Sequence, residues 1–101
     1  MSTFETLGRF ETGWRSLTRE QQATFRKTIT DAFARDLASP DGKFRPELRV
    51  KPVPRHPDVF EMSWGEDGRA AFSYGSGPGE PHIIWRQIAV LSALSPRGVA
   101  M

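Results

Sequence analysis

The chain has 101 residues, a net charge of +2 and a hydrophobic content of 38%, with three Trp and seven Phe. This composition predicts one folded domain with a modest core and excludes a disordered tail. The chain has no cysteine, which excludes a disulfide framework and a thiolate metal site. No apolar run approaches the roughly 20 residues that span a bilayer, and the N-terminus lacks a signal-peptide pattern. We therefore expect a cytoplasmic protein with a single domain over residues 1–101.

Positive charge is concentrated in one stretch. Within residues 43–55, five basic residues stand against a single acid, Glu47. A basic patch on a nearly neutral protein suggests an anionic partner such as RNA, DNA or an acidic protein segment. The alternative is a solvated basic edge that keeps a strand from pairing with other chains, and charge alone does not decide between the two.

The first third of the chain predicts a short strand and two helices. Residues 4–7 fit an edge strand, and Phe10, Trp14 and Leu17 have the spacing of a short amphipathic helix, which Gly13 weakens. Thr18 and Gln21 form a capping-box pattern at the start of a second helix that runs to about Leu37. Its apolar stripe indicates a surface that covers a sheet, and comprises Phe25, Ile29, Ala32, Phe33 and Leu37.

The remainder of the chain predicts strands. Residues 48–51, 59–64, 69–74 and 82–88 alternate apolar and polar side chains, as half-buried strands do. Residues 52–58 are predicted to form a Pro-rich loop, Asp67-Gly68 a hairpin turn and residues 75–81 a flexible connection. The predicted fold class is α+β, with an N-terminal short strand and two helices packed on one face of a twisted antiparallel β-sheet of about four strands. The predicted core face of that sheet carries Leu48, Val50, Phe60, Met62, Trp64, Phe72, Tyr74, Ile83 and Trp85.

The same alternation gives the opposite face of the sheet four cations and one carboxylate. Its polar residues are Arg49, Lys51, Glu61, Ser63, Arg69, Ser73 and Arg86. RNA cleavage needs a base for the 2′-hydroxyl, cations for the transition-state charge and an acid for the leaving oxygen. Arginine suits the second role because its planar fork binds phosphate oxygens. Glu61 is the candidate base, and the alternative for it is a cross-strand ion pair with Arg69 or Arg49.

No cofactor or metal is expected from the sequence. His56 and His82 have no cysteine and no second histidine at ligand spacing. The glycine-rich residues 75–79 lack the following Lys and helix of a phosphate-binding loop, and no nucleophilic serine elbow or cysteine is present.

Residues 4–88 resemble the RelE/ParE superfamily of bacterial type II toxins in the order and spacing of several sequence blocks. The resemblance rests on a short strand, a Trp-bearing helix, a capped helix and a set of strand motifs. The matching blocks are Phe4-Glu5-Thr6, Phe10 with Trp14, Phe44-Arg45-Pro46-Glu47-Leu48-Arg49-Val50-Lys51, Val59-Phe60-Glu61-Met62-Ser63-Trp64, Asp67-Gly68-Arg69-Ala70 and Pro81-His82-Ile83-Ile84-Trp85-Arg86.

The resemblance implies a toxin whose partners are a cognate antitoxin protein and mRNA on the ribosome, which many such toxins cut without a metal. It implies RNA-phosphate contacts for Arg49 and Lys51, and the basic Arg45 joins them as an RNA-binding candidate. It also implies that Arg69 and Arg86 stabilise the scissile phosphate, while Glu61 is carried over as the candidate base.

The C-terminus departs from the family pattern. Active nucleases of this kind place a His or Tyr a few residues beyond the last-strand arginine, whereas residues 88–97 contain neither. His82 lies four residues before Arg86, about 13 Å away along a strand. Three alternatives stay open: an endoribonuclease weakened by its altered tail, a non-nuclease ParE-like toxin directed at DNA gyrase, and a catalytically dead module that binds antitoxin.

Overall fold

The protein folds into two helices packed on a five-stranded sheet, as described by a computed structural model for residues 3–65, 67–75 and 82–90. The strands are β1 (Thr3–Thr6), β2 (Lys51–Val53), β3 (His56–Trp64), β4 (Gly68–Tyr74) and β5 (His82–Val90). The helices are α1 (Gly8–Ser16) and α2 (Arg19–Thr28), and α2 continues through a π-helical turn (Ile29–Phe33) into α3 (Ala34–Leu37). The predicted α+β class is confirmed.

The sheet is mixed and has one strand more than the roughly four antiparallel strands predicted. Its order is β1-β5-β4-β3-β2, and the predicted N-terminal edge strand supplies the fifth strand because β1 pairs parallel with β5. The other neighbours are antiparallel, as their short connections require. β5 is therefore paired on both sides, which fits the apolar character of its sequence.

The second helix starts at its predicted cap but is not regular to its end. The Thr18 hydroxyl accepts a hydrogen bond from the Gln21 amide at 3.1 Å, and the Thr18 amide donates to the Gln21 side chain at 2.9 Å. Phe25 and Phe33 are eight residues apart, so a regular helix would offset them by about 80°. The wider π-helical turn brings both toward the sheet, where each is buried.

The core is an aromatic layer between this helix and the sheet. Phe33 is fully buried, and its ring centroid lies 4.9 Å from that of Phe44 and 5.1 Å from that of Phe72. The predicted core-face residues Leu48, Met62, Trp64, Phe72, Ile83 and Trp85 are all buried. Tyr74 is different: its ring packs against Phe60 and Phe72, but at the end of β4 it remains 45% exposed.

Helix α1 approaches β5 so closely that one position has no room for a side chain. A Cβ atom on Gly13 would lie 2.2 Å from the carbonyl oxygen of Ile88. The glycine that weakens the helix by propensity is therefore what allows the helix to pack against the strand.

The first predicted strand of the main sheet, residues 48–51, is wrong in its bounds. Pro46–Leu48 is a 3₁₀ turn, and Arg49 follows it in the left-handed region at φ 49 and ψ 45. Pro46 fits the first position of this turn because its φ is fixed there. Leu48 is still buried, so its packing does not require a strand. Four alternating residues are too few to separate a strand from a short turn.

The segment predicted as a loop, residues 52–58, is largely strand. Pro52 and Val53 belong to β2, and β3 begins at His56, so only Pro54 and Arg55 form the turn. Pro52 is tolerated because β2 is an edge strand. The predicted connection over residues 76–81 and the tail beyond Val90 lie outside the described residues. Among the described helices, none is long and apolar enough to cross a membrane.

Candidate functional site

The strand register places the predicted charged residues of β3, β4 and β5 on the sheet face opposite the aromatic core. Glu61 pairs with Ala71, which pairs with Gln87, and the next row joins Ser63, Arg69 and Ala89. These residues alternate with the buried Met62, Ala70 and Ile88, so they share the other face of the pleat. We call this surface the open face.

Arg86 lies on the open face, as alternation from Trp85 predicts, at an irregularity in the ladder. Ala71 pairs with Gln87 and Phe72 pairs with Trp85, which leaves Arg86 as the extra residue of a β-bulge. Trp85 and Ile88 are both buried on the core face. The bulge therefore presents two consecutive side chains, Arg86 and Gln87, to the open face, where regular alternation would present one.

A groove of about 590 Å³ lies on the open face beside the start of α1. Glu61 and Arg86 line it from the sheet, and Arg9 lines it from the first turn of α1. Its remaining walls are mostly apolar or neutral and comprise Leu7, Gly8, Val53, His56, Val59, Ala71 and Gln87. The groove thus combines two guanidinium groups with one carboxylate, an arrangement suited to a phosphate beside a proton acceptor.

Lys51 joins this site through an ion pair with Glu61. The two residues are register partners across β2 and β3, and Lys51 Nζ lies 4.0 Å from Glu61 Oε1. Their side chains are 68% and 38% exposed, so water screens the pair and its contribution to stability is small. Glu61 therefore forms a cross-strand ion pair, but with Lys51 and not with Arg69 or Arg49, the partners considered from the sequence. The pair leaves the carboxylate accessible from the groove.

Three predicted residues lie apart from the groove. Arg69 is on the open face one row beyond Glu61, and its Nη1 donates a 2.8 Å hydrogen bond to the Gly68 carbonyl. Arg49 is exposed at the end of the 3₁₀ turn and is not in the sheet. Arg45 donates two 2.8 Å side-chain hydrogen bonds to Asp36 in α3. The structure thus gathers Lys51, Glu61 and Arg86, places Arg69 next to them, and ties Arg45 to a helix.

The Arg45–Asp36 contact has a clear electrostatic effect. Side-chain and backbone hydrogen bonds from Arg45 lower the pKa of Asp36 from 3.8 to about 2. The same contact raises the pKa of Arg45. This pair fastens the segment before the 3₁₀ turn to the end of the helical region.

Sequence reasoning missed Arg9 and His56 as groove residues. Arg9 follows the predicted edge strand, and the packing of α1 against β5 brings it beside the sheet. His56 falls in the segment predicted as a loop, and the bulge that reorients it leaves no sequence signal. Within residues 3–65, 67–75 and 82–90, no three His, Asp or Glu side chains are grouped to hold a metal ion.

Comparison with solved structures identifies the fold as that of RelE- and YafQ-type toxins. The chain is similar to the RelBE2 toxin–antitoxin complex from Mycobacterium tuberculosis, with a TM-score of 0.59 and 14% identity over 87% of this chain and 95% of that one. It is also similar to YafQ from Escherichia coli, with a TM-score of 0.63 and 9% identity over 93% and 98% of the two chains.

A second E. coli structure, the DinJ–YafQ complex, matches with a TM-score of 0.57 and 8% identity over 93% of this chain and 98% of that one. No protein-family model matches the sequence, and no curated protein matches it significantly. At these identities the likeness defines the fold, and the activity must be argued from the site.

Proposed function

We propose that this chain is the toxin of a bacterial type II toxin–antitoxin system and that it cleaves mRNA on the ribosome, in the cytoplasm and without a metal. The observation that carries the proposal is the meeting of Glu61 and Arg86 in one groove on the open face. The fold adds support by analogy, because its structural neighbours include toxins of toxin–antitoxin complexes.

In this proposal the groove binds one phosphodiester of the RNA. Arg86 and Arg69 stabilise the negative charge that develops on the phosphate in the transition state. Glu61 takes the proton of the attacking 2′-hydroxyl. Lys51 and Arg49 hold the neighbouring phosphates from the exposed end of the sheet, and Arg45 keeps its structural bond to Asp36.

Inducible expression in bacteria without an antitoxin tests the proposal. We expect growth arrest accompanied by new mRNA ends that follow the codon phase. The Arg86→Ala variant should remove both effects, and Arg15→Ala, an exposed change on α1 outside the groove, serves as the matched control. Arrest with intact mRNA would favour a gyrase-directed toxin instead, and the absence of any arrest would overturn the toxin proposal.

The second part of the proposal is a cognate antitoxin that lays an acidic segment across the open face. The basic residues that surround the groove support it by charge complementarity. The double variant Arg49→Glu and Arg86→Glu should bind the antitoxin at least tenfold more weakly. Unchanged affinity would place the antitoxin elsewhere on the molecule.

A further inference from the structure

The backbone around His56 turns this side chain to the open face. Counting back from the buried Met62 by strict alternation would put His56 on the core face. The ladder does not alternate strictly, because Pro52 pairs with Phe60 while Val53 pairs with His56. Residues 57–59 are therefore an insertion in β3, and His56 takes the side of its partner Val53, which lines the groove.

A tight turn fixes this arrangement. Pro54 and Arg55 connect Val53 to His56, and Arg55 adopts a φ of 71°. Proline followed by a positive φ is the pattern of a type II turn, which normally has Gly or Asn at the second of these positions. A strained arginine at this turn and a bulge beside it are features found near sites where one side chain must be aimed.

The groove brings His56 together with the groups that a phosphodiester would meet. It lines the groove together with Arg9 from α1, Glu61 from its own strand and Arg86 from β5, and its register partner on β2 is the apolar Val53. Of the described residues that line the groove, only His56 and Glu61 carry an imidazole or a carboxyl group, the side chains most used as general acids and bases. The cleavage reaction needs two such groups, one to remove a proton and one to donate it.

We propose that His56 is the general acid of the cleavage reaction, an inference that rests on the proposed endoribonuclease function. The 2′-oxygen attacks the phosphorus as its proton passes to Glu61, and the bond between phosphorus and the 5′-oxygen breaks. The protonated His56 imidazole gives its proton to that departing oxygen. The products are a 2′,3′-cyclic phosphate and a 5′-hydroxyl end. Between turnovers Glu61 releases the proton it gained to solvent, and His56 takes up a proton to replace the one it gave.

The test replaces the departing oxygen by sulfur. Two short mRNAs are programmed into ribosomes, one natural and one with a 5′-bridging phosphorothiolate at the mapped cleavage position. A thiolate leaves without protonation, so a missing general acid should matter only for the natural RNA. We expect His56→Gln to cut the natural RNA about 10²- to 10⁴-fold more slowly, and the sulfur-containing RNA within a few fold of the unmodified protein.

Two control variants distinguish a general acid from a general base and from a histidine outside the groove. Glu61→Gln should be slow on both RNAs, because attack of the 2′-oxygen still needs a base. His82→Gln changes the chain's other histidine, which contacts Glu5 and does not line the groove, and should cut both RNAs normally. His56 is exposed, so circular dichroism should show the same fold for the His56→Gln protein.

The outcomes are distinct. If His56→Gln is equally slow on both RNAs, His56 acts by binding or positioning and the general-acid assignment is wrong. If it cuts the natural RNA at the normal rate, His56 has no role in the reaction. If the unmodified protein cuts neither RNA, the proposed endoribonuclease function fails, and the assignment of His56 fails with it.

Discussion

Arg86 and Ser73 are joined across β5 and β4 by a hydrogen bond in which Arg86 Nη1 donates to Ser73 Oγ at 3.2 Å. Ser73 is buried, with 8% of its surface exposed, so its hydroxyl is a fixed partner. The bond holds a long and otherwise mobile side chain against the sheet. Arg86 is consequently oriented in the free protein, and on the proposed function this reduces the entropy lost when a phosphate binds.

Removal of this guanidinium should disable cleavage. We expect Arg86→Ala to lower the rate of mRNA cleavage on programmed ribosomes by about 10²- to 10³-fold, the usual cost of losing one donor to a developing anion. Ser73→Ala should have a smaller effect because it frees the orientation of Arg86 and leaves its charge. Equal rates for Arg86→Ala and the unmodified protein would show that Arg86 is outside the active site.

The close packing of α1 on β5 predicts that substitution by alanine has opposite effects on stability at two glycines of α1. Gly13→Ala should destabilise the protein by about 1–3 kcal/mol, the usual cost of overpacking, because the new methyl group would collide with the Ile88 carbonyl. Gly8→Ala meets no atom within 4 Å and should be neutral or stabilising by up to about 1 kcal/mol. Urea unfolding of the two variants measures both values, and similar losses would contradict the steric explanation.

The packing of the aromatic core predicts a large loss of stability when its most buried ring is removed. Phe33 is fully buried among other rings, so Phe33→Ala should cost about 3–5 kcal/mol in the free energy of unfolding. Phe4 is 43% exposed, and Phe4→Ala should cost much less. If the two variants had the same urea midpoint, the aromatic layer would not be the source of the protein's stability.

The Arg45–Asp36 pair predicts that part of the protein's folding stability is lost at acidic pH. The pKa of Asp36 is about 2 in the folded protein against 3.8 for the unpaired group, so the unfolded chain binds the proton more readily. The stabilisation is complete above about pH 5 and is lost as the pH falls through the folded-state pKa of about 2. Asp36→Asn should therefore lower the melting temperature at neutral pH, and by much less at pH 2.

The matched control for this prediction is Asp31→Asn, which removes an exposed acid from the same helical region. Melting temperatures measured by circular dichroism from pH 7 to pH 2 give the comparison. A difference between Asp36→Asn and the unmodified protein that stayed constant over this range would show that the ion pair does not contribute.

Local signals in the sequence were sufficient for much of the fold. The Thr18–Gln21 cap, the apolar stripe of the second helix and the alternation in β3, β4 and β5 each depend on neighbouring residues. They correctly predicted where these elements lie. The parallel pairing of β1 with β5 joins opposite ends of the chain, and no local pattern reports such a contact.

The site was less accessible to prediction because it depends on departures from alternation. Glu61 and Lys51 follow the regular pattern, but the ion pair considered for Glu61 was with Arg69 or Arg49, whereas the strand register makes Lys51 its partner. Arg49 does not follow the alternation, because it ends the 3₁₀ turn in the left-handed conformation and is not part of a strand. The groove position of His56 results from a bulge, a feature set by backbone geometry that the identities of the residues did not reveal.

The pairing of β1 with β5 also determines when the chain can fold during its synthesis. Strand β1 must wait for a partner that is made only after the intervening residues 7–81. A nascent chain therefore cannot close its sheet until His82–Val90 has left the ribosomal exit tunnel, and contacts this distant in sequence form slowly. A truncated product that stops before this strand would lack both the partner of β1 and Arg86 itself.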